Sequence, residues 1–108
     1  YVVFDTETTG FNAGGKDQMI EIGAVKIASG EIIDRFDEFI NPGRPLPQKI
    51  VDLTCITDDD LAGADNEANV TKRFLEWAEG LPMVAHNAKF DMSFVDMACK
   101  NRYFLIFL

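Results

Sequence analysis

The start of the chain carries three β-prone runs before any helical pattern, and this order is the strongest constraint on the fold. Tyr1–Phe4 is a short apolar run that predicts a buried strand leading into a loop. Met19–Ile27 and Glu31–Ile40 predict two further strands, and the Ser29-Gly30 turn joins them as a hairpin. The chain is therefore expected to begin β-β-β.

Helical patterns follow these strands. Gln48–Leu53 and Asp58–Ala62 predict two short helical turns, and Asp58-Asp59-Asp60 has the composition of an acidic first turn rather than of a second metal site. Asp65–Glu79 predicts the clearest helix, because its apolar residues repeat at helical spacing. These residues are Val70, Phe74, Trp77 and Ala78.

The remaining segments complete one small α/β domain. Pro82–Ala85 predicts a fourth strand, and Asn87 is a suitable N-cap for a helix that runs to about Arg102. The order is then β-β-β-α-β-α within 108 residues, which is room for a single core. Tyr103–Leu108 is entirely apolar, so it is either a strand or an abnormal tail.

Composition restricts the functions that this domain can have. A formal net charge of −8 argues against a protein that holds nucleic acid by a basic surface alone. Cys55 and Cys99 have no metal-ligand spacing, which favours a reducing, cytoplasmic compartment. The apolar runs are too short to span a bilayer, so no membrane partner is expected.

Two acidic residues follow the first apolar run. On a strand, Asp5 and Glu7 point to the same face while Thr6 points away. Adjacent carboxylates repel each other unless a cation lies between them, and their hard oxygen atoms suit Mg²⁺ or Mn²⁺. The pair alone is also compatible with a solvated strand end.

A third carboxylate strengthens the metal interpretation. Asp91 lies early in the last predicted helix, and Phe94 and Val95 belong to the apolar face of that helix. A carboxylate at the edge of an apolar stripe is costly unless it is paired or bound to metal. If this helix packs on the sheet, Asp91 reaches the end of the first strand, and a divalent-metal site is expected there.

Four motifs, in order, resemble those of the DEDD 3′–5′ exonucleases of the DnaQ type. They are Asp5–Gly10, Ile20–Ala24, Leu53–Thr57 and Ala85–Asp91. The resemblance covers the chain to about Arg102 and implies an RNase H-like fold, with a mixed five-stranded sheet and helices packed around it. It also implies two metal ions, Mg²⁺ or Mn²⁺, held by four acids, of which Asp5, Glu7 and Asp91 are three.

The resemblance further assigns residues to the substrate. It implies that the terminal nucleotide is held by Thr8, Phe11, Thr54, Asn87 and Phe90. The alternatives are ordinary ones: Phe11 and Phe90 as core residues, and Asn87 as a helix cap only. Cys55 stands where this family usually has glycine, so the backbone there must tolerate a side chain.

The family's third motif is a histidine followed five positions later by an aspartate, and it supplies the general base and the fourth acid. Nothing after Asp91 fits it. His86 and Asp91 have that spacing, but their neighbours are those of the second motif, so His86 is not expected to be the base. The chain is therefore expected to be a catalytic domain that is incomplete at its C-terminal end, with very weak or no hydrolysis.

The residues within these motifs most resemble those of proofreading domains carried inside Gram-positive replicative DNA polymerases. This implies two partners, the 3′ end of single-stranded DNA and the polymerase domain of the parent chain. Two other functions stay open on the residues alone. One is an RNA exonuclease of the same fold, and the other is a non-catalytic interaction module.

Overall fold

A computed structural model describes residues 1–10, 17–85 and 105–107. The strands within them are β1 (Val2–Thr8), β2 (Met19–Ala28), β3 (Glu31–Phe39), β4 (Met83–Ala85) and β5 (Leu105–Phe107). The helices within them are α1 (Gln48–Thr54), α2 (Asp58–Leu61) and α3 (Glu67–Ala78). None of these helices is long and apolar enough to cross a membrane.

The strands form one mixed sheet in the order β3-β2-β1-β4-β5. β1 pairs antiparallel with β2 and parallel with β4, so it lies in the middle of the sheet. β3 extends the antiparallel side, and β5 extends the parallel side. The expected α/β fold with three leading strands is confirmed.

Side chains along β1 alternate between the buried core and the sheet face that carries the two acids. Val2, Phe4 and Thr6 are buried, whereas Asp5 is exposed and Glu7 is partly exposed. Because successive side chains of a strand point to opposite faces, the buried set faces one side of the sheet and the two acids face the other. The packing of the core therefore determines the face on which the acids lie.

Helix α3 covers the buried face. The ring of Phe74 lies 5.5 Å from that of Phe4 and 5.5 Å from that of Phe36, centroid to centroid. The predicted stripe is confirmed, since Val70, Phe74 and Ala78 are fully buried. Trp77 packs at the margin of this cluster, where its Nε1 donates a 3.0 Å hydrogen bond to Asp34.

The ends of α3 follow from local chemistry. Asn66 is the N-cap, and its side chain accepts a 2.9 Å hydrogen bond from the Asn69 amide. The helix stops at Glu79, which takes a left-handed conformation with φ 56°, and Gly80 follows with φ 74°.

The acidic run at residues 58–60 is the first turn of α2, as predicted. Thr57 and Asp60 form a reciprocal capping box, in which the Thr57 amide donates a 2.9 Å hydrogen bond to the Asp60 carboxylate. Asp58 accepts a 2.8 Å hydrogen bond from the Leu46 amide. These bonds give Asp58 and Asp60 a role in the turn itself.

Most boundaries differ from the sequence prediction by one or two residues. β1 includes the acidic pair at its end, as expected, and extends to Thr8; Asp5 pairs with Gly23 and Glu7 with Glu21 in the ladder with β2. The segment left open as strand or tail contains β5, which pairs with β4. The helix expected after Asn87 lies outside the described residues.

Candidate active site

The two acids of β1 lie on the sheet face opposite α3. Asp5 is level with Gly23 of β2 and Asp37 of β3, and Glu7 is level with Glu21. A residue without a side chain at position 23 leaves open space between Asp5 and Asp37. A Cβ atom placed there would lie 4.0 Å from the nearest carboxylate oxygen of Asp37.

The acids also lie where the chain leaves two parallel strands. Phe4 of β1 is level with Ala85 of β4, the last residue of that strand. Asp5 follows Phe4 directly, so the acids stand at the edge at which β4 ends. Ligand sites in sheets of this kind form outside the carboxyl ends of parallel strands.

Glu21 belongs to this acidic face, although sequence reasoning did not assign it a role. Burial, a hydrogen bond to Asp37 and the negative charges of Asp37, Glu7 and Asp5 raise the pKa of Glu21 to about 7. Glu21 is thus close to half protonated at neutral pH, and its proton can be shared with Asp37. No separate sequence signal marks Glu21, because its position opposite Glu7 depends on the register of β2 against β1.

The donor set fits a hard divalent cation. Asp5 and Glu7 present oxygen atoms only, which are the ligands that Mg²⁺ and Mn²⁺ take in proteins. After burial and the hydrogen bond to Asp37, the negative charges of Asp37, Glu7 and Asp5 also contribute to the raised pKa of Glu21. Within the described residues no three potential ligands come together, so Asp5 and Glu7 by themselves do not make up a metal site.

A cleft of about 380 Å³ opens beside the acids, between the end of β1 and helix α1. Its β1 side runs from Thr6 to Gly10, and its α1 side runs from Pro47 to Thr54. Thr8 and Thr54, both expected to contact substrate, lie on opposite walls of this cleft. The structure therefore brings together two residues that are far apart in the sequence.

Both threonine hydroxyl protons are already engaged. Thr8 Oγ1 donates a 2.6 Å hydrogen bond to the Gly10 carbonyl, and Thr54 Oγ1 donates a 2.8 Å hydrogen bond to the Ile50 carbonyl. Thr54 Oγ1 also accepts from the Ile56 amide at 3.1 Å. Each hydroxyl braces the cleft wall and still offers an oxygen lone pair to a ligand.

Thr9, in the Thr-Thr-Gly sequence after the acids, is hydrogen bonded to Asp17 and Gln18. Thr9 Oγ1 donates to the Asp17 carboxylate at 3.2 Å and accepts from the Gln18 amide at 2.9 Å. A Cβ atom on Gly10 would lie 2.5 Å from an Asp17 oxygen. Only glycine fits at position 10 without moving Asp17.

The backbone conformation of Cys55 explains why glycine would suit position 55. It ends α1 in a left-handed conformation with φ 62°, and its amide donates a 2.9 Å hydrogen bond to the Val51 carbonyl. Glycine adopts such a φ without steric cost. The loop therefore keeps the turn that glycine favours while carrying an exposed thiol.

The other predicted site residues lie outside the described residues. These are Phe11, Asn87, Phe90 and Asp91, together with His86. Their roles stay predictions.

The mixed sheet, its acidic edge and the adjoining cleft define an exonuclease domain with an RNase H-like fold. The chain belongs to the Exonuclease (RNase_T) family, which it matches over residues 2–105.

Its similar relatives are much longer proteins. The chain is 52% identical over 101 residues to the DNA polymerase III PolC-type of Bacillus cereus, and 52% identical over 101 residues to that of Bacillus subtilis. Each match covers 94% of this chain and 7% of the relative. The chain thus spans a small part of the length of these polymerases.

Solved structures share the fold. The nuclease domain of 3′hExo, a DEDDh family member bound to rAMP, superposes with a TM-score of 0.76 at 23% identity, covering 92% of this chain and 57% of that one. Product-bound exonuclease I superposes with a TM-score of 0.77 at 20% identity, covering 95% of this chain and 26% of that one.

Proposed function

We propose that this chain is a divalent-metal-dependent 3′–5′ exonuclease domain that removes terminal nucleotides from DNA and proofreads for a replicative polymerase in the cytoplasm. The observation that carries the proposal is the placement of Asp5 and Glu7 on one sheet face, at the edge where β4 also ends. The polymerase assignment is supported by relatives named DNA polymerase III PolC-type. The DNA substrate is supported by the fold shared with exonuclease X, solved with duplex DNA.

The acids have a defined role in this proposal. Asp5, Glu7 and Asp91 hold Mg²⁺ or Mn²⁺ in a two-metal site. When bound, such ions activate a water molecule and stabilise the leaving oxygen atom of the scissile phosphate. Bound cations would also supply the positive charge that phosphate binding needs. A chain of net charge −8 would then not require a basic surface to hold nucleic acid.

The cleft holds the terminal nucleotide. Its two threonines brace the walls and accept hydrogen bonds, while aromatic side chains stack on bases without reading sequence. The proposed substrate residues are Thr8, Phe11, Thr54, Asn87 and Phe90. Such contacts suit an enzyme that must remove any terminal nucleotide.

Hydrolysis by these residues alone is expected to be weak. No histidine with an aspartate five positions later follows Asp91 within the 108 residues, so the general base of the family is not among them. Robust digestion of 3′-labelled single-stranded DNA that is abolished by Asp5→Ala would support the function and contradict this weak-hydrolysis prediction.

Thermal unfolding with Mn²⁺ tests the metal site directly. A ligand that binds only the folded state stabilises it by RT ln(1 + [L]/Kd), about 2.7 kcal/mol at a hundredfold excess over Kd. We expect Mn²⁺ to raise the Tm of the wild type and to have little effect on Asp5→Asn. Asp59→Asn, at an exposed position on α2, is the matched control and keeps the full shift.

Two results would overturn the proposal. A Tm that does not respond to Mn²⁺ supports a non-catalytic module. An equal shift in the wild type and Asp5→Asn places the ion elsewhere. Competition between DNA and RNA strands of one sequence then distinguishes a DNA exonuclease from an RNA exonuclease, since preferential RNA binding contradicts the DNA assignment.

A further inference from the structure

Lys49 is a cation in the cleft that the proposed chemistry does not yet use. It lies on the second residue of α1 and lines the cleft together with Glu7, Thr8 and Gly10. Its side chain is exposed. Among the described residues the ion pairs are made by Lys26 and Arg73, so Lys49 is not neutralised by any of them.

The surroundings of Lys49 restrict what it can bind. The described walls of the cleft bring one other ionisable group, Glu7, and otherwise hydroxyl, backbone and apolar groups. Leu53, one helical turn further along α1, lines the same cleft and is 73% exposed. Asp52, three residues after Lys49 on α1, is already engaged, because its carboxylate accepts a 2.8 Å hydrogen bond from Gln48.

A cation beside an apolar side chain matches a nucleotide strand. Phosphate groups need a positive partner, whereas base and sugar faces pack on apolar surface. In a chain with eighteen acidic and ten basic residues, Lys49 shares the cleft with Glu7 and has no ion pair within the described part of the chain, so it is the positive charge that a phosphodiester entering the cleft would meet.

We propose that Lys49 binds a backbone phosphate of the single-stranded nucleic acid whose 3′ end lies at Asp5 and Glu7. This rests on the proposed function and adds a positioning residue to it. The lysine contacts the backbone and not the bases, so it contributes equally to all sequences.

Salt dependence of binding tests this contact. Each phosphate neutralised on a single strand contributes about −0.7 to the slope of log K against log salt concentration. Binding of a 5′-fluorescein single-stranded DNA is measured by anisotropy from about 50 to about 200 mM salt, with Ca²⁺ present to slow hydrolysis. We expect Lys49→Gln to make the slope shallower by about 0.7 and to weaken binding up to about fivefold.

Two further variants control this measurement. Lys49→Arg keeps the charge and should retain the wild-type slope. Lys72→Gln removes an equally exposed lysine from α3, which packs on the other face of the sheet, and should also retain it.

The outcomes separate the two proposals. If the wild type binds the strand but Lys49→Gln has the wild-type slope, the role of Lys49 is wrong and the exonuclease assignment stands. If Lys72→Gln makes the slope shallower by as much as Lys49→Gln does, the change reflects the net charge of the protein and not a contact of Lys49. The proposal is then also wrong. If the wild type does not bind the strand at all, the proposed function fails and this inference fails with it.

Discussion

Glu21 of β2 lies directly opposite Glu7 of β1, and both carboxyl groups share the sheet face that carries Asp5. Side chains directly opposite each other on neighbouring strands interact, and like charges there destabilise the sheet. Burial and the neighbouring Asp37, and to a smaller extent the charge of Glu7, raise the pKa of Glu21 to about 7. The acidic face is therefore sensitive to pH in the neutral range.

Replacing Glu21 tests this sensitivity. Its pKa rises from 4.5 in the unfolded chain to about 7 in the fold, so its contribution to stability is fully present below pH 4.5 and is lost as the pH rises through 7. Without divalent ions, Glu21→Gln should be more stable than wild type above pH 7, on the order of 1 kcal/mol after allowance for solvent screening. Urea unfolding at pH 4 to 8 measures this, and parallel pH profiles would contradict it.

Replacing Cys55 by glycine should stabilise the protein. Cys55 holds φ at 62°, a conformation that costs a residue with a side chain about 1–2 kcal/mol. Part of that gain is offset by the entropy that glycine loses on folding, so we expect about 1 kcal/mol. Cys55→Ala, which keeps the Cβ atom, serves as the control. Equal free energies of unfolding for the two variants would exclude backbone strain as the cause.

Thr71 carries a hydroxyl that has no hydrogen-bond partner among the residues that the structure describes, although the side chain is fully buried in α3. Thr71→Val removes that hydroxyl with little change in shape, so it should raise the free energy of unfolding by about 1 kcal/mol. Thr71→Ser keeps the hydroxyl, loses a methyl group and should be destabilising. A loss of stability in Thr71→Val would show that the hydroxyl is satisfied in solution.

Glu67 connects α3 to the start of β2. Its carboxylate accepts a 2.8 Å hydrogen bond from the amide of Met19, a fully buried residue, and burial raises the pKa of Glu67. Glu67→Ala leaves that amide without a partner and should cost about 1–3 kcal/mol. Glu67→Gln keeps an acceptor and should cost much less. Equal losses in chemical denaturation would show that the hydrogen bond contributes little.

Local patterns predicted most of the fold. The hairpin turn at Ser29 and Gly30, the stripe of α3 and the acidic turn of α2 depend on neighbours in sequence, and all are found. Asp5 and Glu7 were expected at the strand end although acidic residues are poor strand formers by composition, and β1 extends one residue further, to Thr8. Their strand conformation depends on pairing with β2, which is a tertiary interaction.

The candidate site was only partly predictable. Asp5, Glu7, Thr8 and Thr54 were expected to act together; Glu7, Thr8 and Thr54 line one cleft, and Asp5 precedes it on the same face of β1 as Glu7. Lys49 and Glu21 gave no separate signal, because a lysine on a short helix and a glutamate in a strand are common. Only the packing of α1 against the end of β1, and the register of β2, gives these two residues a role.

The central position of β1 has a consequence for how the chain tolerates change. Both edges of this strand are bonded, and its side chains alternate between core and acidic face. A slip by a single residue would turn Asp5 and Glu7 into the core and Phe4 out of it. Burying two carboxylates without partners is costly, so that register is strongly disfavoured. The register that buries Val2 and Phe4 is therefore the same register that places Asp5 and Glu7 on the exposed face of the sheet.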